Sequence, residues 1–303
     1  VERHLVGEPS PVTELMLTLL AGGHALLESP PGLGKTTLVR TVAISAGLDL
    51  GRVQCTPDLM PMDITGGDVV LPEQSNAPGA VVFRPGPIFH QVVLADELNR
   101  ATPRTQSAML EAMQEGTVTS AGVTRPLPQP FHVLATQNPI EQEGVYRLPE
   151  AQLDRFLVRV EVGYPDRQDE LNMLDIHSNP VSDVDTITSP AQILGMQRHL
   201  PGIHVADELK AYIVDLARRS REHPDVALGA SPRAALYLMH ASRARAMLDG
   251  RNYATHEDVQ AMSIGVLGHR LILRPEAEIE GRQVKDVIAE VASKVPVSDT
   301  ELP

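Results

Sequence analysis

The chain is 303 residues long, which is enough for two domains with hydrophobic cores of ordinary size. Its 26 Lys and Arg residues and 39 Asp and Glu residues give a formal net charge of −13, and the sequence contains no dense basic run. An acidic surface repels the phosphates of nucleic acids, so we expect no nucleic-acid partner. The single cysteine excludes an intrachain disulfide and favours a cytoplasmic location, and the apolar runs are too short to predict membrane insertion.

The first part of the chain is predicted to form a helix and then a strand. Apolar residues recur at helical spacing from Val12 to Leu20, and Gly22-Gly23 ends that pattern. The apolar run Ala25–Leu27 then predicts a short strand, which leads into a loop rich in Pro and Gly.

This loop has the spacing of a phosphate-binding loop. Gly34-Lys35-Thr36 opens a stretch without a helix breaker, which gives the strand–loop–helix order that such a loop requires. Backbone N–H groups at the helix start would bind phosphate oxygens, Lys35 would add a cation, and the Thr36 hydroxyl would be a ligand of Mg²⁺. The alternative is a glycine turn that caps an ordinary helix. We predict a nucleoside-triphosphate site, with the phosphate-binding residues Pro31, Gly32, Leu33, Gly34, Lys35, Thr36 and Thr37.

The stretch from residue 58 to residue 89 is rich in Pro and Gly and lies between two predicted strands. The strand before it is expected at Arg52–Thr56, and β-like runs at Asp68–Leu71 and Ala80–Arg84 suggest a hairpin inside it. A structureless loop of this length would be unusual in a compact domain. We therefore expect an ordered functional insert rather than a disordered surface loop.

Two carboxylates follow a continuous apolar run that starts at Val92. Such a run is typical of a strand buried on both faces of a parallel sheet, and ligands bind at the carboxyl ends of these strands. Asp96 would hold Mg²⁺ through water, and Glu97 would polarise the water that attacks the γ-phosphate. The alternative is a buried strand that ends at a helix-capping acid.

The next segment is predicted to contain a helix at Pro103–Glu115, a hairpin within 117–127 and a buried strand at Phe131–Thr136. Asn138 falls at the tip of that strand, where its amide would hydrogen-bond the attacking water or the γ-phosphate. The alternative role for Asn138 is turn formation, because Asn-Pro commonly starts a turn.

A fifth strand is expected at Leu157–Val162 and a charged helix at 166–177, after which helical periodicity dominates. The pattern predicts an α/β domain with a parallel five-stranded sheet over residues 1–188 and a small all-α domain over residues 189–303. Arg233 occupies the first turn of a helix that begins after Ser231, where the helix dipole disfavours a cation. An anion such as phosphate opposite Arg233 would explain this position, and a solvated surface arginine is the alternative.

The ordered motifs of this chain resemble those of AAA+ ATPases, and most closely those of the MoxR group. Ser29 is the one departure in the phosphate loop, because relatives usually carry Gly there. The similarity extends from Val6 to about Leu271. The matching segments are ESPPGLGKT at 28–36, DELNRA at 96–101, LEAMQE at 110–115, ATQNP at 135–139 and LPEAQLDRF at 148–156.

The resemblance implies that the nucleotide is ATP, with Asn138 as the sensor-one residue. It further implies that Arg155 is an arginine finger that reaches a neighbouring subunit, that Arg233 is the sensor-two arginine of a helical lid, and that Val6 and Gly7 meet the adenine. The segments 58–89 and 117–127 would be the helix-2 insert and the pre-sensor-one hairpin, both of which face the central pore in relatives.

MoxR-like proteins are chaperone-like remodellers that commonly act with von Willebrand A-domain proteins. The resemblance therefore implies ATP hydrolysis with Mg²⁺ in a ring oligomer, expected to be a hexamer, acting on a protein partner. A nucleotide-dependent binding switch with slow turnover shares every motif and remains open at this stage. A DNA motor like the related MCM helicases is disfavoured by the net charge of −13.

Overall fold

The structure is a computed structural model, and it describes residues 10–30, 32–70, 79–138, 145–164, 167–168, 170–171 and 184–296. The chain divides into two compact units. The first consists of the described residues of Val1–Thr13, His24–Leu148 and Glu161–Leu194, and the second of those of Glu14–Gly23, Pro149–Val160 and Gly195–Pro303.

The strands and helices are numbered here in chain order. The strands are β1 Ala25–Glu28, β2 Leu50–Gln54, β3 Gly66–Val70, β4 Val81–Pro85, β5 Val92–Asp96, β6 Thr117–Ser120, β7 Val123–Pro126, β8 His132–Gln137, β9 Val158–Glu161, β10 Val226–Leu228 and β11 Ile272–Leu273. The helices are α1 Ser10–Leu20, α2 Lys35–Ser45, α3 Pro61–Thr65, α4 Pro103–Glu115, α5 Glu150–Leu153, α6 Pro190–His199, α7 Asp207–Glu222, α8 Pro232–Leu248, α9 His256–Leu267, α10 Pro275–Ile279 and α11 Val284–Lys294.

The central feature is a five-stranded sheet with the order β2-β5-β8-β1-β9. The pairs β2–β5, β5–β8 and β1–β8 are parallel, as the continuous apolar runs predict. Every residue of β5 is buried, because helices cover a sheet of this kind on both faces. Register pairs Gln54 with Asp96 and Glu28 with Gln137, so the carboxyl ends of these strands lie along one edge. The strand that we expected at Arg52–Thr56 begins and ends two residues earlier, at Leu50–Gln54.

His24 joins the sheet to helix α4 in the interior of the first unit. Its Nδ1 accepts a hydrogen bond from the backbone N–H of Val133 at 2.9 Å, and its Nε2 lies 3.2 Å from the carbonyl oxygen of Met113. Complete burial, together with the nearby His132, lowers the pKa of His24 to about 3. The ring is therefore neutral in the folded protein near pH 7.

The insert at 58–89 is ordered where the structure describes it. β3 and β4 form the predicted antiparallel hairpin, and the short helix α3 before them was not predicted; residues 71–78 lie outside the described ranges. Gly66 has a φ of 78°, and a side chain there would clash with the backbone of Arg84 and Gly86. This close approach accounts for the glycine at the start of β3.

The predicted hairpin within 117–127 is confirmed as the antiparallel pair β6–β7. Its Arg125 guanidinium lies 3.7 Å from the ring centroid of Phe83 in the insert, and the Phe83 ring meets Phe89 edge to face. These contacts join the hairpin and the insert through cation–π and aromatic packing.

The described part of Gly195–Pro303 in the second unit is mainly helical, which agrees with the helical domain expected there, while the predicted boundary at residue 188 stays a prediction. Ser231 caps α8 by accepting a hydrogen bond from the N–H of Ala234 at 3.2 Å, and Pro232 takes the first helical position. The short antiparallel pair β10–β11 was not anticipated by the sequence analysis, since three and two residues are too few for a strand pattern. The predicted helix at 166–177 lies mostly outside the described residues. Within the described ranges, no helix is long and apolar enough to span a bilayer.

Candidate functional site

The loop between β1 and α2 has the backbone of an anion-binding loop. Gly34 is the residue before α2, with φ 70° and ψ 19°, and Gly32 has a φ of 83°. An added Cβ would meet nothing within 4 Å at either glycine, so conformation and not space requires these glycines. The first N–H groups of α2 have no partner within the helix and can bind an anion. Pro31, Val6 and Gly7 lie outside the described residues.

Ser29 and Lys35 are joined across this loop. Ser29 is 2% exposed, and its carbonyl oxygen accepts a hydrogen bond of 3.0 Å from the Lys35 ammonium. Burial lowers the pKa of Lys35, whereas the negative charges of Asp96 and Glu97 raise it. The lysine therefore belongs to the same electrostatic environment as the two carboxylates at the end of β5.

Asp96 ends β5, and both of its carboxylate oxygens are hydrogen-bonded. The Thr136 hydroxyl donates to Oδ1 at 2.7 Å, and the Arg52 guanidinium donates to Oδ2 at 2.8 Å. Thr136 lies on the neighbouring strand β8 and is fully buried, whereas 52% of the Arg52 side-chain surface is exposed. The threonine contact is therefore fixed by the core, and the arginine contact lies at the surface.

Glu97 adopts a left-handed backbone conformation, with φ 56° and ψ 50°. This conformation is uncommon for a side chain larger than glycine and costs about 1–2 kcal/mol. Thr136 stabilises it, because its hydroxyl oxygen accepts a hydrogen bond of 2.8 Å from the Glu97 N–H. The carboxylate turns towards Arg100, whose Nη1 lies 3.0 Å from Oε2, and towards Gln54, whose Nε2 lies 3.1 Å from the same oxygen.

Asn138 follows the last residue of β8, between the ends of β5 and β1 in the strand order. The Gln137 amide before it donates to the carboxylate of Glu28 at the end of β1. The parallel register thus gathers the phosphate loop, Asp96, Glu97 and Asn138 at one edge of the sheet. The negative charge there also reaches Cys55, since burial, Asp96 and Glu97 together raise the pKa of its thiol to about 12.

The chemistry of this edge fits a Mg²⁺ ion that is held mainly by substrate and water. Thr36 contributes a hydroxyl and Asp96 a carboxylate, which are the oxygen ligands that Mg²⁺ prefers. Among the described residues, no group of three or more His, Cys, Asp or Glu side chains would form a metal site made of protein alone. The Arg52 guanidinium occupies one Asp96 oxygen, and its exposure allows it to turn away.

The other two predicted site residues, Arg155 and Arg233, lie in the second unit close to Asp154. The nearest guanidinium nitrogen of Arg233 is 3.7 Å from Asp154 Oδ2. Arg233 therefore has an anionic partner within its own chain, and the phosphate expected opposite it stays a prediction. Arg155 follows Asp154 directly, is half-buried, and its carbonyl oxygen lies 3.5 Å from the Tyr237 hydroxyl.

Sequence reasoning missed several polar residues that hold the predicted ones in place. Alternation on β2, with Val53 buried between two exposed polar residues, is a signal that would have placed Arg52 and Gln54 on one face. Which residues they meet depends on the register, which the sequence does not reveal. The missed residues are Arg52, Gln54, Arg100, Thr136, Asp154 and Arg270.

Known protein families and relatives match this chain over most of its length. The profile of the ATPase family associated with various cellular activities (AAA) matches residues 24–158, and that of the AAA lid domain matches residues 218–291. Chaperone MoxR1 of Mycobacterium tuberculosis is 40% identical over 286 residues, which cover 91% of this chain and 75% of that protein. Protein MoxR of Methylorubrum extorquens is 30% identical over 98% of this chain and 92% of its own. The chain belongs to the MoxR group of AAA+ ATPases.

Two further relatives extend the comparison without adding an activity. The uncharacterised protein YeaC of Bacillus subtilis is 44% identical over 98% of this chain and 93% of its own length. A crystal structure of a candidate ATPase from Cytophaga hutchinsonii superimposes with a TM-score of 0.90 at 37% identity, covering 98% of this chain and 92% of that one. The MoxR-group fold, a parallel five-stranded sheet followed by a helical lid, is therefore confirmed.

Proposed function

We propose that this MoxR-group chain hydrolyses ATP with Mg²⁺ in order to remodel a partner protein. The observation that carries the proposal is that the phosphate loop and the two carboxylates lie at the same edge of the sheet. Lys35 at the start of α2 interacts electrostatically there with Asp96 and Glu97. Phosphoryl transfer depends mainly on positioning and charge stabilisation, and these groups supply both.

Each predicted site residue in the first part of the chain has a distinct proposed role. The N–H groups of residues 32–37 and the Lys35 ammonium bind the phosphates, and Val6 and Gly7 meet the adenine. Thr36 and Asp96 hold Mg²⁺, which neutralises charge on the phosphate oxygens when bound. Glu97 accepts a proton from the attacking water, and the Asn138 amide orients that water or the γ-phosphate.

Two arginines of the second unit would complete the site, and one of them, Arg155, would do so only in an oligomer. We propose that Arg155 acts in trans on the γ-phosphate of a neighbouring subunit and that Arg233 acts as the sensor of the lid. A cation supplied in this way stabilises the transition-state charge and accelerates hydrolysis by about 10³–10⁵. The proposed assembly is a ring, taken to be a hexamer, in the cytoplasm.

Exposed apolar residues on the insert support a protein partner. Val70 is 68% exposed and Val81 is 65% exposed, and they pair on one hairpin. Met60 and Met62, at the start of the insert, are also exposed. Clustered apolar surface of this kind commonly marks an interaction site, and a von Willebrand A-domain protein is the partner class that the family suggests. The M. tuberculosis relative is named a chaperone, in line with a remodelling role.

The first test separates binding from hydrolysis. Glu97→Gln should bind a fluorescent ATP analogue normally and lose phosphate release, because the amide cannot accept the proton. Glu111→Gln is the matched control, since Glu111 is an exposed residue of α4 in the same unit and should leave both measurements unchanged. Undiminished hydrolysis by Glu97→Gln would refute the role proposed for Glu97.

The second test concerns assembly. The specific rate of ATP hydrolysis should rise with protein concentration, because each site needs an arginine from a neighbour. Arg155→Ala should be inactive alone, and mixing it with Lys35→Ala should restore part of the rate. A specific rate that stays constant from monomeric to oligomeric concentrations would argue against a finger supplied in trans.

A binding switch with slow turnover is a second candidate, and one contact favours it. Gln54 and Arg100 both donate hydrogen bonds to Glu97 Oε2. These hydrogen bonds make the carboxylate less able to accept a proton as a general base. In this case Gln54→Leu should raise the basal rate of hydrolysis, and a bound partner should raise the wild-type rate as well. A basal rate in Gln54→Leu equal to that of the wild type would remove the support for the switch.

A further inference from the structure

The segment that carries Arg155 is fixed by one buried arginine. Arg270 follows α9 and exposes only 2% of its side-chain surface. Its Nε donates to Asp154 Oδ1 at 2.7 Å, and its Nη2 donates to the carbonyl oxygens of Asp154 at 3.1 Å and Phe156 at 2.5 Å. Arg270 thus binds the residues on both sides of Arg155 in the chain, Asp154 and Phe156.

Further contacts join Arg270 to the helices α9 and α8. Its Nη1 donates to the carbonyl oxygen of Val266, and it lies 2.7 Å from the His269 ring, which in turn lies 3.1 Å from the Phe156 carbonyl oxygen. The Tyr237 ring packs 5.1 Å from the guanidinium carbon. Every N–H-bearing nitrogen of the guanidinium therefore has a partner, as a buried cation requires.

The start of α8 is joined to the same carboxylate. The Ser231 hydroxyl lies 3.1 Å from Asp154 Oδ2, and Arg233 contributes its ion pair at 3.7 Å. Asp154 thus connects Arg155, which follows it in sequence, with the first turn of the helix that carries Arg233. Removing the Asp154 charge would leave Arg270 uncompensated in a buried place, where desolvation already lowers its pKa.

We infer that Asp154 and Arg270 are positioning residues for Arg155, and that the ion pair between them sets where this arginine points. The inference rests on the proposed function, because it needs Arg155 to act on a neighbour's nucleotide. It adds a specific claim, which is that a defect in the Asp154–Arg270 pair damages the finger that a subunit donates and spares the nucleotide site of that subunit.

Mixtures of variants test this claim. Asp154→Asn keeps the size of the side chain and removes its charge, and it should lower kcat by at least about tenfold, because small displacements of a catalytic group cost up to about a hundredfold. Its affinity for a fluorescent ATP analogue should stay within about threefold of wild type. Adding Lys35→Ala protein, which cannot bind nucleotide but carries an intact finger, should restore hydrolysis. Adding Arg155→Ala protein should not, because neither variant then donates a working finger.

The double variant gives a second readout. If Asp154 acts through Arg155, then Asp154→Asn should cost nothing further in an Arg155→Ala background. Asp258→Asn is the control, since Asp258 is buried, accepts hydrogen bonds of 2.6 and 2.8 Å from Arg251, and lies at the opposite end of α9. It should lower thermal stability and leave kcat of the folded protein unchanged. Asp154→Glu retains the charge and offers a folded alternative with the same expected pattern in the mixtures.

The outcomes are distinguishable. Failure of Lys35→Ala to rescue Arg155→Ala refutes the proposed finger in trans and the present inference with it. Rescue of Arg155→Ala without rescue of folded Asp154→Asn or Asp154→Glu overturns the inference alone, because the defect would then lie in the variant's own nucleotide site. An equal loss of kcat in Asp258→Asn would mean that any buried ion pair of this unit has the same effect, and that result would also overturn it.

Discussion

Thr136 is the residue whose removal tests the candidate site most directly. Its hydroxyl donates to Asp96 Oδ1 at 2.7 Å and accepts from the Glu97 N–H at 2.8 Å. Thr136→Val replaces the hydroxyl by a methyl group of similar size, so the variant leaves an unpaired carboxylate oxygen and an unpaired N–H at the end of β5. Serine retains the hydroxyl, which makes Thr136→Ser the matched control.

The expected loss of unfolding free energy follows from the two hydrogen bonds of the Thr136 hydroxyl. A hydrogen bond to a charged group contributes about 1.5–3 kcal/mol and a neutral one about 0.5–1.5 kcal/mol, so Thr136→Val should lose about 2–4 kcal/mol of unfolding free energy. For a chain of 303 residues that unfolds in one transition, this corresponds to a fall in Tm of about 3–6 °C. Hydrolysis should fall by more than about tenfold, since Glu97 would lose the bond that stabilises its left-handed backbone. ATP binding should change less, because the two hydrogen bonds of the Thr136 hydroxyl go to Asp96 and Glu97 at the end of β5 and not to the phosphate loop.

The assay combines thermal unfolding, a fluorescent ATP analogue and phosphate release on the same samples. Thr18→Val is a second control, because it removes a buried hydroxyl that donates only within helix α1, to the Glu14 carbonyl oxygen at 2.7 Å. It should cost less than about 1 kcal/mol and leave hydrolysis unchanged. A Thr136→Val protein with wild-type stability and wild-type kcat would refute the argument that this hydroxyl fixes the two carboxylates.

Three further predictions address the loop, the metal and the pH dependence. Gly34→Ala should weaken ATP binding about tenfold or more, because a backbone φ of 70° costs an alanine about 1–2 kcal/mol. Gly163→Ala is the control, since Gly163 also has open space around it but no positive φ, and this variant should bind ATP normally in the same titration. Arg52→Ala should lower the Mg²⁺ concentration for half-maximal hydrolysis, because Asp96 Oδ2 loses a competing cation; a higher requirement would contradict this. His24 has a folded pKa of about 3, which is below the unfolded value, so its contribution to the unfolding free energy is complete above about pH 6.5 and is lost as the pH falls. Chemical denaturation should show a loss of about 2 kcal/mol at pH 5. His24→Gln should lose this pH dependence.

The parts of the site that the sequence predicts are those encoded within short segments. The run from Val92 to Glu97 identifies a buried strand and the two carboxylates at its end without any knowledge of its neighbours. The phosphate loop is equally local, because the glycine spacing and the following helix lie within a dozen or so residues. The buried strand and the loop-to-helix geometry are confirmed, because in each case the physical requirement and the residues that meet it are adjacent in the chain.

The supporting contacts escaped prediction because they join distant segments. Arg52 reaches Asp96 only in the observed register, in which Gln54 pairs with Asp96. Our expected strand began at Arg52, two residues too late, and a shift of that size moves the pairing along the strand without changing the face. Arg270 and Asp154 are 116 residues apart, and no local pattern connects them.

Asp96 in the first unit and Asp154 in the second unit have similar kinds of hydrogen-bond partners. The exposure of their arginine partners differs, and this difference suits the proposed roles. Asp96 precedes Glu97 and is bound by one arginine and one threonine hydroxyl, while Asp154 precedes Arg155 and is bound by two arginines, Arg270 and Arg233, and one serine hydroxyl. The arginine on Asp96 is half exposed, so solvent can replace its contact and the carboxylate can turn to a metal ion. Arg270, the arginine nearest to Asp154, is buried, and breaking that ion pair would leave an uncompensated charge at a cost of about 3–5 kcal/mol. An aspartate that must exchange partners during a catalytic cycle needs the first arrangement, and one that must hold its neighbour still needs the second.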